Sequence, residues 1–242
     1  MWVDAVLFVS AVIAGGLSAV TGFGIGSLLT PFFALQGNTR LAVAAVAVPH
    51  VLGTALRFFL LKGRADRRVL WSFGLTSAAG GLAGAALQGW LANRWLTIVF
   101  GALLLFAAAS EATGIANRMR FRGGVAWLAG ALSGFLGGLV GNRGGIRSAA
   151  MLGFDLPKHT FIATATAIAL FVDGARLPVY LMTQREEMMS VWPWVALASA
   201  GVCVGTVLGS GVMARIPEIW FRRVLAAVLA LLGGAMLLRG IQ

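Results

Sequence analysis

Two glycine-rich stretches decide the fold. Gly22-Phe23-Gly24-Ile25-Gly26, followed by Pro31, interrupts an apolar run over residues 5–35. Gly137-Gly138-Leu139-Val140-Gly141-Asn142-Arg143-Gly144-Gly145, followed by Arg147, interrupts another over residues 124–154. Each run is longer than the ~20 residues with which one straight helix crosses the hydrocarbon core. Glycine lowers the cost of a sharp turn and lets helices approach closely. Each run therefore reads as a helical hairpin, either re-entrant or a tight pair of spans.

Around these hairpins lie six further apolar runs, 41–61, 69–92, 95–116, 160–182, 190–213 and 220–238, bounded by charges and prolines. All are helical by length, and none alternates with period two as a barrel strand would. Composition agrees: 59% of the 242 residues are hydrophobic and 11% charged, with mean hydropathy +0.90. A soluble domain averages about 25% charged residues, so the outer solvent of this chain is lipid. The net charge of +11 falls mostly in short gaps between the runs, as the positive-inside rule expects. With no basic patch interleaved with aromatics, nucleic acid is excluded as a partner. The one cysteine, Cys203, lies in an apolar run and offers neither an internal disulfide nor a metal constellation. The opening Met1-Trp2-Val3-Asp4 lacks the positive n-region of a signal peptide.

Basic residues set the expected topology. Loops 62–68 (Lys62, Arg64, Arg67, Arg68) and 117–122 (Arg118, Arg120, Arg122) and segment 214–223 are strongly basic and are placed in the cytoplasm. Loop 183–187 carries Glu186 and Glu187 against Arg185 and is placed outside. Counting crossings then puts both termini outside. The first unit, 1–117, is a hairpin (5–35) plus spans 41–61, 69–92 and 95–116. The second, 118–242, is a hairpin (124–154) plus spans 160–182, 190–213 and 220–238. Each unit makes an odd number of net crossings, so the two are inverted repeats. Ala14-Gly15, Leu17-Ser18, Gly22 and Gly26 fall opposite Ala129-Gly130, Leu132-Ser133, Gly137 and Gly141; Arg57 falls opposite Arg176, and Gly80 and Gly84 opposite Gly201 and Gly205.

Inverted repeats with paired broken helices point to a transporter whose site lies near the bilayer midplane. Broken helix ends expose backbone N–H groups that bind anions, which marks Gly24, Gly144 and Gly145 together with Asn142, Arg143 and Arg147. Arg143 and Arg147, four apart, share a face and form a positive cradle if that segment enters the membrane; otherwise they are topology charges. An arginine at the bilayer centre costs roughly 2.5–3.5 kcal/mol on insertion scales, so Arg57 and Arg176 should face protein or water. Arg57 is also near enough to Lys62 to snorkel to the interface. His50 shares a helix face with Arg57, and Asp173 is placed to pair with Arg176. That pair is either structural, or it meets the anion while Asp173 or His50 exchanges a coupling proton. Thr166 lies on nearly the same helix face as Asp173, with Thr164 near its edge. The tryptophans near span ends read as interfacial anchors.

At these residues the chain resembles the TauE/SafE sulfite exporter family. The resemblance rests on the segments Gly15–Pro31 and Gly130–Gly145, and on Gly141-Asn142-Arg143-Gly144-Gly145-Ile146-Arg147-Ser148 followed by Ala163-Thr164-Ala165-Thr166. It covers essentially the whole chain. The resemblance implies outward, proton-coupled transport of sulfite or sulfonates such as sulfoacetate. Many members carry a glycine triplet where this chain has Asn142-Arg143-Gly144-Gly145. The expectation is thus an all-α integral membrane transporter for small anions in the cell inner membrane, without cofactor or metal, partnered by its anion, protons and the bilayer. GxxxG-like spacings such as Gly80–Gly84 fit a homo-oligomer as well as packing within the chain. A passive anion channel is the alternative. An intramembrane enzyme is disfavoured, because His50 and His159 are the chain's only histidines and Ser210 has none downstream.

Overall fold

The computed structural model describes residues 2–22, 24–61, 63–115, 123–141, 147, 151, 154–212 and 218–242. Among them all regular structure is helical: α1 (Trp2–Thr21), α2 (Ile25–Gln36), α3 (Thr39–Leu61), α4 (Arg67–Gln88), α5 (Asn93–Thr113), α6 (Gly124–Val140), α7 (Lys158–Thr183), the short α8 (Arg185–Ser190), α9 (Trp192–Val212) and α10 (Glu218–Ile241). Helices α1, α3, α4, α5, α7 and α9 are long and apolar enough to cross a membrane. Their outer faces are greasy. On α1, Val3, Val6, Val9 and Ile13 are exposed while Leu7, Ala11 and Ala14 are buried, the 3–4 residue spacing of a helix with one face in lipid.

Local chemistry explains the ends. Asp66 starts α4 by accepting the amide of Val69 at 2.9 Å. The run expected to reach residue 116 stops earlier, because Gly114 adopts a left-handed C-cap (φ 67°). The run expected to end at 92 stops at Gln88, where the chain turns at Gly89. The first hairpin breaks at Gly22 (φ 84°) and Gly24 (φ 126°), within the predicted stretch. Of the second, α6 ends at Gly141 (φ 77°).

Helix pairing places the core. α1 packs against α9, α6 against α4, α5 against α10, and α3 against α7; α2 lies on α3, α7 also touches α4, and α3 also touches α9. The first two pairs are backbone-to-backbone. A Cβ on Gly205 would lie 2.9 Å from the Gly16 nitrogen, and one on Gly84 2.9 Å from the Leu139 nitrogen. Contacts rising together along both chains make each of these pairs parallel. α3 and α7 are antiparallel: His50 meets Asp173 and Arg57 meets Thr166. So are α5 and α10, with Gly101 against Gly233 and Arg94 donating to the Gly240 carbonyl at 2.9 Å.

Phe33 of α2 meets Trp194 at the start of α9, and Arg239 donates to the carbonyls of Ala34 and Gly37. Thus α2 returns to the end of the bundle where α1 begins, and both chain ends lie there. Arg64, Arg67 and Arg68 are exposed at the opposite end.

Candidate functional site

Helices α1 and α6 stop inside the bundle, and stopping creates a problem. The last carbonyls of a helix have no intrahelical donor, and in a low-dielectric core each must find one. The helix dipole also leaves negative potential there, which favours cations.

Backbone amides meet part of the need: Gly22 N donates to the Ser18 carbonyl at 2.9 Å and Gly141 N to the Gly137 carbonyl at 3.0 Å. A buried arginine adds to each helix end in the same way. Arg57 of α3 reaches the end of α1: Nη1 donates to the Ser18 carbonyl and hydroxyl, and Nη2 to the Gly22 carbonyl at 3.3 Å. Its Nε donates to Thr166 Oγ1 at 2.9 Å. Arg176 of α7 reaches the end of α6: Nη1 donates to the Gly137 carbonyl at 2.7 Å. The next two carbonyls of α6 are also covered, Gly138 by the Tyr180 hydroxyl and Leu139 by Gln88 Nε2 at 3.0 Å. Gln88 is held in turn by Gln184 Nε2 at 2.9 Å.

Between the arginines lies one carboxylate. Asp173 is fully buried (0% exposed), Arg176 is 1% and Arg57 3% exposed. Asp173 Oδ1 receives Nε and Nη2 of Arg176, each at 2.9 Å. Its Oδ2 lies 2.7 Å from His50 Nδ1, and Thr54 Oγ1 stands 3.4 Å from that same nitrogen. The cluster therefore joins α3 to α7, and through the arginines it joins both to the ends of α1 and α6.

The start of α2 also meets the end of α6. A Cβ at Gly26 would fall on the Gly141 carbonyl oxygen, so only glycine allows this approach. α2 starts at Ile25, and its first-turn N–H groups lack intrahelical acceptors. A buried helix N-terminus thus stands beside the end of α6.

His50, Arg57, Thr166, Asp173 and Arg176 come together, and Gly24 opens the adjoining helix. Thr164 is elsewhere: it accepts the Asp66 amide at 2.8 Å and donates to the Thr160 carbonyl at 2.7 Å, so it fastens the α3–α4 loop to α7. Arg147 is buried. Asn142, Arg143, Gly144 and Gly145 lie outside the described residues. Sequence reasoning did not mark Ser18, Gln88 or Gln184. The signal that finds them is the carbonyl inventory at a helix end, which needs the partner helix to be known.

A helix bundle with an apolar outer surface, buried arginines and two helices that end at buried left-handed glycines, Gly22 and Gly141, is a multi-pass membrane protein with a polar centre. The sequence profile described as Sulfite exporter TauE/SafE matches residues 7–236, and the chain belongs to that family. Membership makes it a membrane transport protein of the sulfite and sulfonate exporter type. No curated protein and no solved structure matches the chain.

Proposed function

We propose that the chain is a secondary transporter that moves sulfite or a small sulfonate out of the cell by alternating access, with the His50–Asp173 pair carrying the coupling proton. The observation that carries this reading is the paired device at the centre. Two arginines on antiparallel helices reach the ends of α1 and α6, and one carboxylate serves both the histidine and an arginine. An anion is a stronger acceptor for a guanidinium than a neutral carbonyl, so it can draw either arginine from its helix end.

The two halves are inverted repeats on this reading. Exchanging Arg57 with Arg176, Ser18 with Gly137, Val12 with Ala131, and Gly80 and Gly84 with Gly205 and Gly209 turns the arginine contact at one helix end, and the glycine packing on one helix pair, into those of the other. Gly80 lies on Ala131 as Gly205 lies on Val12, and Gly84 on Phe135 as Gly209 on Gly16. The exchanged helices α3 and α7 run antiparallel, as inversion requires. The bodies that rock are then composites. Interlocked backbones tie α1 to α9 and α6 to α4, so each broken helix moves with a span from the other half. The exposed arginines 64, 67 and 68 face the cytoplasm and both termini face outward, in the inner membrane.

The test is uptake of radiolabelled sulfoacetate and sulfite by proteoliposomes, with and without an imposed pH gradient. Accumulation above equilibrium that follows the gradient supports the reading. Equilibration without accumulation makes the protein a channel, and no uptake above protein-free liposomes removes the sulfonate assignment.

A further inference from the structure

Two buried threonines near the start of α2 differ from their neighbours. The hydroxyls of Thr39, Thr54, Thr97, Thr164 and Thr166 are each hydrogen-bonded. Those of Thr30 and Thr206, in side chains as deeply buried, have no hydrogen-bond partner among the described residues. A buried hydroxyl left so is costly, and it calls for an explanation in ligand or water.

Their positions supply one. Thr206 of α9 lies beside Gly53 of α3, one turn from Arg57: a Cβ at Gly53 would stand 3.5 Å from Thr206 Oγ1 and 3.2 Å from Cδ1 of Ile25, the first residue of α2. Thr30 is one turn beyond Gly26 on α2, on the face that meets the end of α6. Its Oγ1 lies 3.5 Å from where a Cβ on Gly141 would be. The opening turns of α2 are thus flanked by one orphan hydroxyl on the α9 side and another on the α6 side.

We infer that Thr206 and Thr30 are substrate-binding residues that donate to the oxygens of the transported anion at the N-terminus of α2. The inference rests on the proposed function and names the residues that sort its substrates. First-turn N–H groups take one oxygen, and the two hydroxyls take others. A sulfite or sulfonate head with three oxygens uses all of these donors, whereas a carboxylate with two leaves one idle. The hydroxyls are neutral, so they add selectivity without adding charge to the arginines.

Thr→Val keeps the shape and removes the O–H, which separates the two roles of such a residue. Purified protein is unfolded thermally with and without sodium sulfite, sulfoacetate or acetate, for wild type, Thr30→Val, Thr206→Val and Thr206→Ser. Without anion, the valine variants should unfold at or above the wild-type temperature, since an unsatisfied polar group is gone. With sulfite or sulfoacetate, they should need about tenfold more anion for the same stabilisation, acetate should discriminate little, and Thr206→Ser should behave as wild type. Valine variants that keep the wild-type response to sulfite overturn the inference alone. A wild type that neither anion stabilises overturns the proposed function, and the inference with it.

Discussion

His50 Nδ1 stands 2.7 Å from Asp173 Oδ2, across the boundary between the two halves of the chain, while the other oxygen of Asp173 holds Arg176. One carboxylate therefore neutralises an arginine and binds a titratable ring at once. Removing one partner of a buried ion pair leaves an uncompensated charge, at roughly 3–5 kcal/mol. Asp173→Ala should destabilise the protein by about that amount, and Asp173→Leu combined with Arg176→Met by much less. Denaturant unfolding in detergent measures both. A double variant no better than the single would mean that the bond from Arg176 to Gly137, and not its pairing with Asp173, is what the protein needs.

Glutamine at position 50 offers a test of coupling that spares binding. Its amide can donate to Asp173 in place of the ring, but it carries no proton. His50→Gln should lose gradient-driven accumulation of sulfoacetate by about tenfold or more, while exchange of labelled for unlabelled anion at equal pH continues. Tenfold is a lower bound, since a positioned general acid–base group contributes roughly 10²–10⁴-fold. Equal loss of both activities would place His50 in the architecture of the site and not in its proton traffic.

Glycines divide sharply by position. A Cβ on Gly138 would stand 2.8 Å from the Ala85 nitrogen, whereas one on Gly174 meets nothing within 4 Å. Gly174→Ala, in a helix interior, should be neutral or stabilising by about 0.5–1 kcal/mol. Gly138→Ala must push α6 off α4, and should lower the yield of folded protein and its unfolding temperature. Size-exclusion profiles and thermal unfolding decide between them; equal behaviour would contradict the backbone contact.

The helical membrane architecture and the first break were readable from the sequence, because apolar length and glycine clusters are local properties. So was the spacing that lets Asp173 reach Arg176, since three residues along a helix is a geometric fact. The proposed repeat register was only half readable. Sequence matching set Gly22 opposite Gly137 and Gly80 opposite Gly201, whereas the repeat proposed above pairs Ser18 with Gly137, and so Gly22 with Gly141, and Gly80 with Gly205. Glycines spaced by four residues recur once per turn, so a slip of one turn still lays glycine on glycine. Only the partner backbone breaks that degeneracy, whereas Arg57 and Arg176 are paired in both registers. The work of those arginines was hidden for a related reason. A charge in a span signals burial, but whether it faces an anion or a helix end depends on where another helix stops.

The packing proposed to define the moving bodies gives a result that the order of the sequence would not. If each half of the chain moved as a unit, Val9 on α1 and Leu82 on α4 would keep a constant separation. If α1 travels with α9, Val9 and Leu208 should keep theirs, and Val9 and Leu82 should not. All three side chains are exposed on the outer surface, so spin labels there leave the interior packing undisturbed. In a Cys203→Ala background, double electron–electron resonance would be recorded for Val9/Leu208, for Leu82/Leu128 within the other body, and for Val9/Leu82 between them. Sulfite or acid pH should add a second distance to Val9/Leu82 and leave the other two pairs with one. A second distance in Val9/Leu208 would instead mean that Gly16 and Gly209 slide past each other. Their interlocked backbones oppose that motion, because packed interfaces switch between discrete arrangements and resist gradual shear.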